Sequence, residues 1–135
     1  MKSVLLTSAL LFLINVAFSQ NVILKFNTRG GTELNKAKSE VTYKFDLAGL
    51  ETDNDAKEFH QKATKYTDVT EAYVHPYIKG GVRNATLTTT NMDNTVYMKG
   101  FFDYMGIKDL IINEEKVKTT DFVAFAKKLK EVNNK

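Results

Sequence analysis

The sequence contains no cysteine, no tryptophan, a single proline and, after residue 19, only one serine, Ser39. The lack of cysteine excludes disulfides, and it also excludes thiolate ligands, which select Cu(I) and help to select Zn(II). A single serine after residue 19 does not indicate an enzyme with a serine nucleophile. The chain also has no Gly-x-Ser-x-Gly, His-Glu-x-x-His or P-loop pattern. We therefore expect a protein that is not an enzyme and is stabilised by packing alone.

Long hydrophobic runs are also lacking, except at the N-terminus. Residues 1–19 carry one positive charge at Lys2, an apolar run over residues 4–14, and the small-x-small triplet Ala17-Phe18-Ser19. This arrangement is typical of a secretory signal peptide that is cleaved near Ser19 and Gln20. No lipobox cysteine is present, so we expect a soluble periplasmic or extracellular protein without a membrane span.

Charge of one sign does not dominate. The formal net charge is +3, and removal of Lys2 with the signal peptide lowers it to +2. Such a small excess does not indicate a nucleic-acid-binding protein. A chain of 135 residues is long enough for one domain with an ordinary core. We divide it into a signal peptide (1–19), an N-terminal extension (20–40), a central domain (41–113) and a C-terminal helical extension (114–135).

The central domain alternates strand and helix patterns. Apolar and polar residues alternate over residues 41–47, which predicts a strand with one buried face. Helical spacing follows, and Thr52 with Asp55 three residues later predicts a capping box. Strands are then predicted at 69–75 and 85–90, joined by a turn at Gly80-Gly81. A second helix begins near Asp93 and ends before Gly106, and residues 108–112 supply the fourth strand.

This β-α-β-β-α-β order predicts an α+β fold of the ferredoxin-like type, with both helices on one face of an antiparallel sheet in the order 4-1-3-2. Gly100, inside the second helix, suggests close packing there. The residues expected to be buried are Phe45, Phe59, Val74, Leu87, Phe101 and Ile111.

The first predicted strand is followed by the run Gly49-Leu50-Glu51-Thr52-Asp53-Asn54-Asp55-Ala56. With this run in its strand and helix order, the central domain resembles the heavy-metal-associated domain of copper chaperones and metal-transporting ATPases. In that family a glycine, methionine, threonine, cysteine, two variable residues and a second cysteine precede the first helix. Three further stretches also resemble the family pattern, namely Val69 with Ala72 and Val74, Ala85-Thr86-Leu87, and Met105-Gly106-Ile107.

The resemblance implies the scaffold but not the metal chemistry, because the two thiolate positions fall on Thr52 and Asp55. We therefore expect an exported, non-catalytic binding or interaction module without a cofactor. Its partner is an unknown protein or small ligand, and we expect a monomer or weak homodimer.

The alternative is a metal-handling protein that uses carboxylate and histidine ligands from Asp53, Asp55, Glu58 and His60. Hard cations bind such oxygen ligands. However, the spacing is not that of a calcium loop, and acidic residues at a helix N-terminus are already favoured by capping and by the helix dipole.

Other candidate groups have structural explanations that we favour. His75, before Pro76, has no further ligands at metal-binding spacing. Arg83-Asn84 suggests an anion site like that of the acylphosphatases, which share the predicted fold class, but their glycine-rich loop is not matched here. Five aromatic residues could form a recognition patch or belong to the core: Tyr73, Tyr77, Tyr97, Phe102 and Tyr104.

The extensions are predicted to add to the domain. Residues 22–26 read as an edge strand, and residues 33–40 as a linker or a surface strand. The last helix, capped by Thr119 or Thr120, carries an apolar stripe of Phe122, Phe125, Ala126, Leu129 and Val132. We expect this stripe to dock on the same chain, at the open sheet face or along its edge, and we expect its lysines to be solvated.

Overall fold

The computed structural model describes residues 21–92 and 94–133. The predicted signal peptide therefore lies outside the described residues. The described part is a mixed α/β structure with seven strands in one sheet and three α-helices, which confirms the α+β class. None of these helices combines the length and the apolar character that a membrane crossing needs.

The elements follow the chain in the predicted alternation, with additions at both ends. The strands are β1 (Ile23–Phe26), β2 (Thr32–Asn35), β3 (Glu40–Ala48), β4 (Val69–Val74), β5 (Val82–Thr89), β6 (Asp109–Ile112) and β7 (Glu115–Lys118). The helices are α1 (Asp53–Thr64), α2 (Asn94–Met105) and α3 (Phe122–Asn133), and a 3₁₀ turn (Thr119–Asp121) precedes α3.

Strand order is where the prediction was wrong. The sheet runs β4-β5-β3-β1-β6-β7, with β2 pairing β3. The strand β1, expected at an edge, lies at the centre, antiparallel to β3 and parallel to β6. The sheet is therefore mixed rather than antiparallel, and β3 does not pair with β6. The central position sets Leu24 in register with Leu47 on one side and Leu110 on the other, and Leu24 is only 1% exposed. An edge position would leave one side of this leucine in water, so the central position buries more apolar area.

The segment after Asn113 was also partly mispredicted. It was expected to be a connection to the last helix, but it forms β7 as a hairpin with β6. The turn residues Asn113 and Glu114 both have positive φ values, 52° and 70°, as a two-residue type I′ turn requires. Glutamate is uncommon in this conformation, so the Asn113-Glu114 pair lacks the glycine that usually indicates such a turn.

The helices lie together on one face of the sheet. The alternating residues of β3 are buried with Phe59 of α1 and Phe101 of α2, in a single core cluster. The predicted capping box of α1 is present: the Thr52 side chain accepts from the Asp55 N–H, and the Asp55 side chain accepts from the Thr52 N–H. This pair fixes where the helix begins.

Burial confirms four of the six predicted core residues, namely Phe45, Phe59, Leu87 and Phe101. Val74 and Ile111 are only partly buried. In β6 the residues that face the helices are Leu110 and Ile112, so the predicted face was wrong by one residue. Three consecutive apolar residues carry no alternation that could fix the face.

The helix α3 docks on the same chain, but not on the open face. It contacts α2 and β7, and the Phe122 ring meets the Phe102 ring edge to face at 5.1 Å. The opposite sheet face displays polar side chains such as Thr42, Lys44 and Asp46, which need no apolar cover. Val132, expected in the docked stripe, is 70% exposed.

Candidate functional site

An apolar cavity lies between α3 and the helix-covered face of the sheet. Its volume is about 230 Å³. The sheet contributes side chains from β1, β2, β3 and β6, the turn after β1 contributes Thr28, and the helices contribute side chains from α2 and α3. The apolar lining residues are Leu24, Phe26, Tyr43, Phe45, Met98, Phe102, Leu110, Ile112, Phe122, Phe125, Ala126 and Leu129.

The cavity exists because α3 packs incompletely. Phe122, Phe125 and Leu129 are in contact with the core, yet none of them is fully buried. On the sheet side, Leu24 and Leu110 are each only 1% exposed, so the floor is a continuous apolar surface. The cavity is partly open to solvent, because Lys130 and Asn133, which also line it, are exposed.

Polar groups lining the cavity are few. They are contributed by Thr28, Thr32, Thr95, Lys130 and Asn133. Thr28 is fixed by Asn113, whose side-chain oxygen accepts from the Thr28 N–H at 2.9 Å. Lys130 is exposed, and it is the one charged residue among the described residues that line the cavity. A mostly apolar cavity with a few polar groups is the usual form of a small-molecule site.

The predicted metal ligands lie on α1, away from this cavity. Asp55 is the capping-box partner of Thr52, Asp53 lies 3.5 Å from the Arg83 guanidinium, and Glu58 accepts from the Asn54 side chain at 3.2 Å. A helix of about 3.6 residues per turn directs Asp53 and His60 to one side and Asp55 and Glu58 to another. Within residues 21–92 and 94–133, no group of three histidine or acidic side chains is placed to hold one ion.

Metal binding through these residues nevertheless stays a prediction that solution measurement decides. Calorimetric titration with Cu(II), Zn(II), Ni(II) and Ca(II) tests it, with Glu58→Gln as the variant that leaves the capping box in place. Binding with a micromolar or lower dissociation constant, abolished by Glu58→Gln, would favour the metal-handling alternative.

Arg83 is buried and bonded to backbone carbonyls. It is 1% exposed, and it donates to the carbonyl oxygens of Leu50 at 2.8 Å and Pro76 at 2.5 Å. Longer bonds reach the carbonyls of His75 and Glu51 at 3.5 Å. Its donors therefore join the loop before α1 to the end of β4, and this engagement argues against the anion-binding interpretation of Arg83-Asn84.

The five aromatic candidates separate into two groups. Tyr97 and Phe102 are buried and Tyr104 is half-buried, whereas Tyr73 and Tyr77 are 49% and 69% exposed. The exposed pair flanks His75, whose Nδ1 accepts from the Tyr77 N–H at 3.1 Å. The five aromatic residues therefore do not form one exposed surface, and the favoured interpretation as core residues fits Tyr97 and Phe102.

Buried and partly buried aromatic rings form a cluster between Tyr66 and α2. The Tyr66 ring lies 5.2 Å from that of Tyr97, 5.5 Å from that of Phe101 and 5.1 Å from that of Tyr104, measured between centroids. Burial, and then the charges of Asp103 and Asp68, raise the pKa of Tyr66. Burial also raises the pKa of Tyr97, whose hydroxyl donates to the Thr67 carbonyl at 2.6 Å. Both hydroxyls therefore remain neutral at ordinary pH and act in packing.

The sequence did not predict the cavity, because two of its walls depended on unpredicted positions. Leu24 and Phe26 line it only because β1 is central, and α3 closes it only because α3 lies on the helix side. The available signal was Ala126, a small residue within the apolar stripe of α3, which leaves space where a larger side chain would fill it. Comparisons of the chain with family models, curated proteins and solved structures gave no match.

Proposed function

We propose that this protein is an exported, non-catalytic binding module that holds a small apolar molecule in the cavity beneath α3. The observation that carries the proposal is the cavity itself, about 230 Å³ of apolar space with a floor of fully buried core residues. An apolar cavity of roughly 150 Å³ lined by Leu, Ile and Phe accommodates benzene, so the space here suits a somewhat larger apolar group.

The scaffold we propose is ferredoxin-like and related to the heavy-metal-associated domain, with β1 inserted into the sheet. Omitting β1 and β7 from the observed order leaves β4-β5-β3-β6, which corresponds to the predicted order 2-3-1-4. The positions that carry thiolates in that family are the cap residue Thr52 and its partner Asp55, so this scaffold has a helix cap where the family binds metal. Ligand binding then belongs to the cavity under α3, which neither Thr52 nor Asp55 lines.

Binding is tested with N-phenyl-1-naphthylamine, a neutral probe whose fluorescence rises in apolar surroundings. We expect saturable enhancement with the purified protein. The variant Ala126→Trp places an indole into the cavity and should lower the enhancement at least fivefold. Ala124→Trp is the matched control, because Ala124 lies on the same helix, is exposed and does not line the cavity.

Equal loss of enhancement in both tryptophan variants, or no enhancement with the parent protein, would contradict the proposed function. Turnover of an acyl phosphate or a common hydrolase substrate by the purified protein would contradict its non-catalytic part. Export is tested by mass spectrometry of the protein recovered outside the cytoplasm, where the expected N-terminal residue is Gln20.

A further inference from the structure

We propose that the ligand of the α3 cavity is a medium-chain carboxylic acid, with its alkyl tail inside the cavity and its carboxylate at the Lys130 ammonium. This inference rests on the proposed function and specifies the chemistry of its ligand. It is carried by three properties of the cavity: the sign of the charge that lines it, its volume, and the division of its lining between apolar and polar residues.

The charge at the cavity favours an anion. Lys130 is the single charged residue among the described lining residues, and no carboxylate in residues 21–92 and 94–133 forms an ion pair with it. A carboxylate placed there gains a charge-assisted hydrogen bond, and the neighbouring polar groups of Asn133 and the lining threonines are neutral. A cationic ligand would meet only repulsion.

The volume limits the tail. Scaling from the roughly 150 Å³ apolar cavity that holds the six carbons of benzene, about 230 Å³ holds roughly nine carbons. A long-chain lipid would therefore leave most of its tail outside. Because five polar residues line the cavity beside twelve apolar ones, one polar end and one apolar tail match it better than a wholly apolar molecule.

The test compares nonanoate with nonan-1-ol, each below the concentration at which it aggregates, as competitors of the bound naphthylamine probe. We expect both to displace the probe, with nonanoate the tighter by about two- to fivefold, the range for an exposed ion pair. Added salt should reduce this preference, because the lysine is exposed. Affinity should rise with chain length up to about nine carbons and then level off, by the same volume scaling.

Substitutions identify the lysine. Lys130→Gln should abolish the preference for nonanoate, so that nonanoate and nonan-1-ol displace the probe with equal affinity. Lys127→Gln and Lys128→Gln are matched controls, since both lysines lie on the same helix, are exposed and do not line the cavity. Both controls should retain the preference.

Two results would overturn the inference while leaving apolar binding intact: equal affinity for nonanoate and nonan-1-ol in the parent protein, or equal loss of the preference in all three lysine variants. The second result would show that the general charge of α3, rather than Lys130, attracts the anion. Failure of the proposed function is distinguishable from both, because it appears as no probe enhancement at all.

Discussion

At the residue scale, Arg83 is the largest of the fully buried side chains, and it is polar. Replacement by methionine removes the donors to Leu50 and Pro76 and leaves their carbonyl oxygens without these bonds. We expect Arg83→Met to lower the free energy of unfolding by about 2–6 kcal/mol, since two carbonyl groups lose their donor and each unsatisfied buried group costs about 1–3 kcal/mol. Urea denaturation measures this.

The ion pair of Arg83 with Asp53 provides the control for that measurement. The Asp53 side chain is 90% exposed, so the pair lies largely in water. Asp53→Asn should change the free energy of unfolding by less than about 1 kcal/mol. A loss in Asp53→Asn equal to that in Arg83→Met would show that the ion pair, and not the carbonyl bonds, is the important contact.

Gly100 offers a second prediction, because a Cβ atom there would lie 2.4 Å from the Tyr66 Oη. Alanine normally stabilises a helix interior by about 1 kcal/mol relative to glycine. Here Gly100→Ala should destabilise instead, because the Tyr66 ring is held among three other rings and cannot move freely. Overpacking of this kind costs about 1–3 kcal/mol.

A double-mutant cycle isolates this contact. In Tyr66→Phe the hydroxyl is absent, and the next atom of the ring, Cζ, lies 3.7 Å from the added Cβ, an ordinary contact. In that background Gly100→Ala should become stabilising by roughly 1 kcal/mol. Additive effects of the two substitutions in urea denaturation would refute the clash.

The raised pKa of Tyr97 predicts how the stability of the protein depends on pH. Its folded pKa is raised above the ordinary value of 10.0, chiefly by burial, so the folded state favours the neutral hydroxyl. The stabilisation is present below pH 10 and is lost as pH rises through the folded pKa. We expect Tyr97→Phe to reduce the fall in stability measured by urea denaturation above pH 10. An unchanged alkaline slope would contradict the assignment.

At the element scale, the strengths and failures of the sequence prediction have one physical origin. The beginning of α1 and the end of α2 could be predicted from local residues. The capping box of Thr52 and Asp55 begins α1, and Gly106, at φ 74°, follows the last residue of α2. Long-range strand pairing could not be predicted, because the local pattern of the four residues of β1 is the same for an edge strand and for a central strand. The face of β6 was ambiguous for the same reason, since its apolar residues are consecutive.

The candidate site follows the same division. The apolar stripe of α3 was predicted from helical spacing, but the surface it covers depends on the strand order. An apolar stripe indicates that a helix docks, but it does not indicate which residues lie beneath the helix. The cavity lies between β1 and α3, which are far apart in sequence. They come together only because β1 pairs with β3 and β6 while α3 packs against α2 and β7.

Removal of α3 tests its role as an element. Truncation after Lys118 removes Phe122, Phe125 and Leu129 from the core surface. Because these three are only partly buried, we expect a loss of roughly 2–4 kcal/mol in unfolding free energy, less than three fully buried side chains would give. Binding of the naphthylamine probe should disappear in a chain that remains folded by circular dichroism. Full retention of binding would place the ligand elsewhere.

At the scale of the whole molecule, β1 decides whether the central domain is independent of its extensions. If residues 41–113 were a complete ferredoxin-like unit, they would fold without the N-terminal extension. In the observed sheet, β1 separates β3 from β6, so its removal leaves two strand edges unpaired and uncovers Leu47 and Leu110. Both are at most 1% exposed in the intact protein.

We therefore expect a chain that begins at residue 40 to be unfolded, as judged by loss of the urea transition and of dispersed amide resonances. A peptide of residues 21–31 added in trans should restore the transition in a concentration-dependent way, because β1 binds by backbone pairing along both sides. As a control, the same peptide with Leu24→Asp keeps the backbone donors but places a charge in the core, so it should not restore folding. A folded chain without β1 would mean that β3 pairs directly with β6, and that the order predicted from sequence is accessible to this chain.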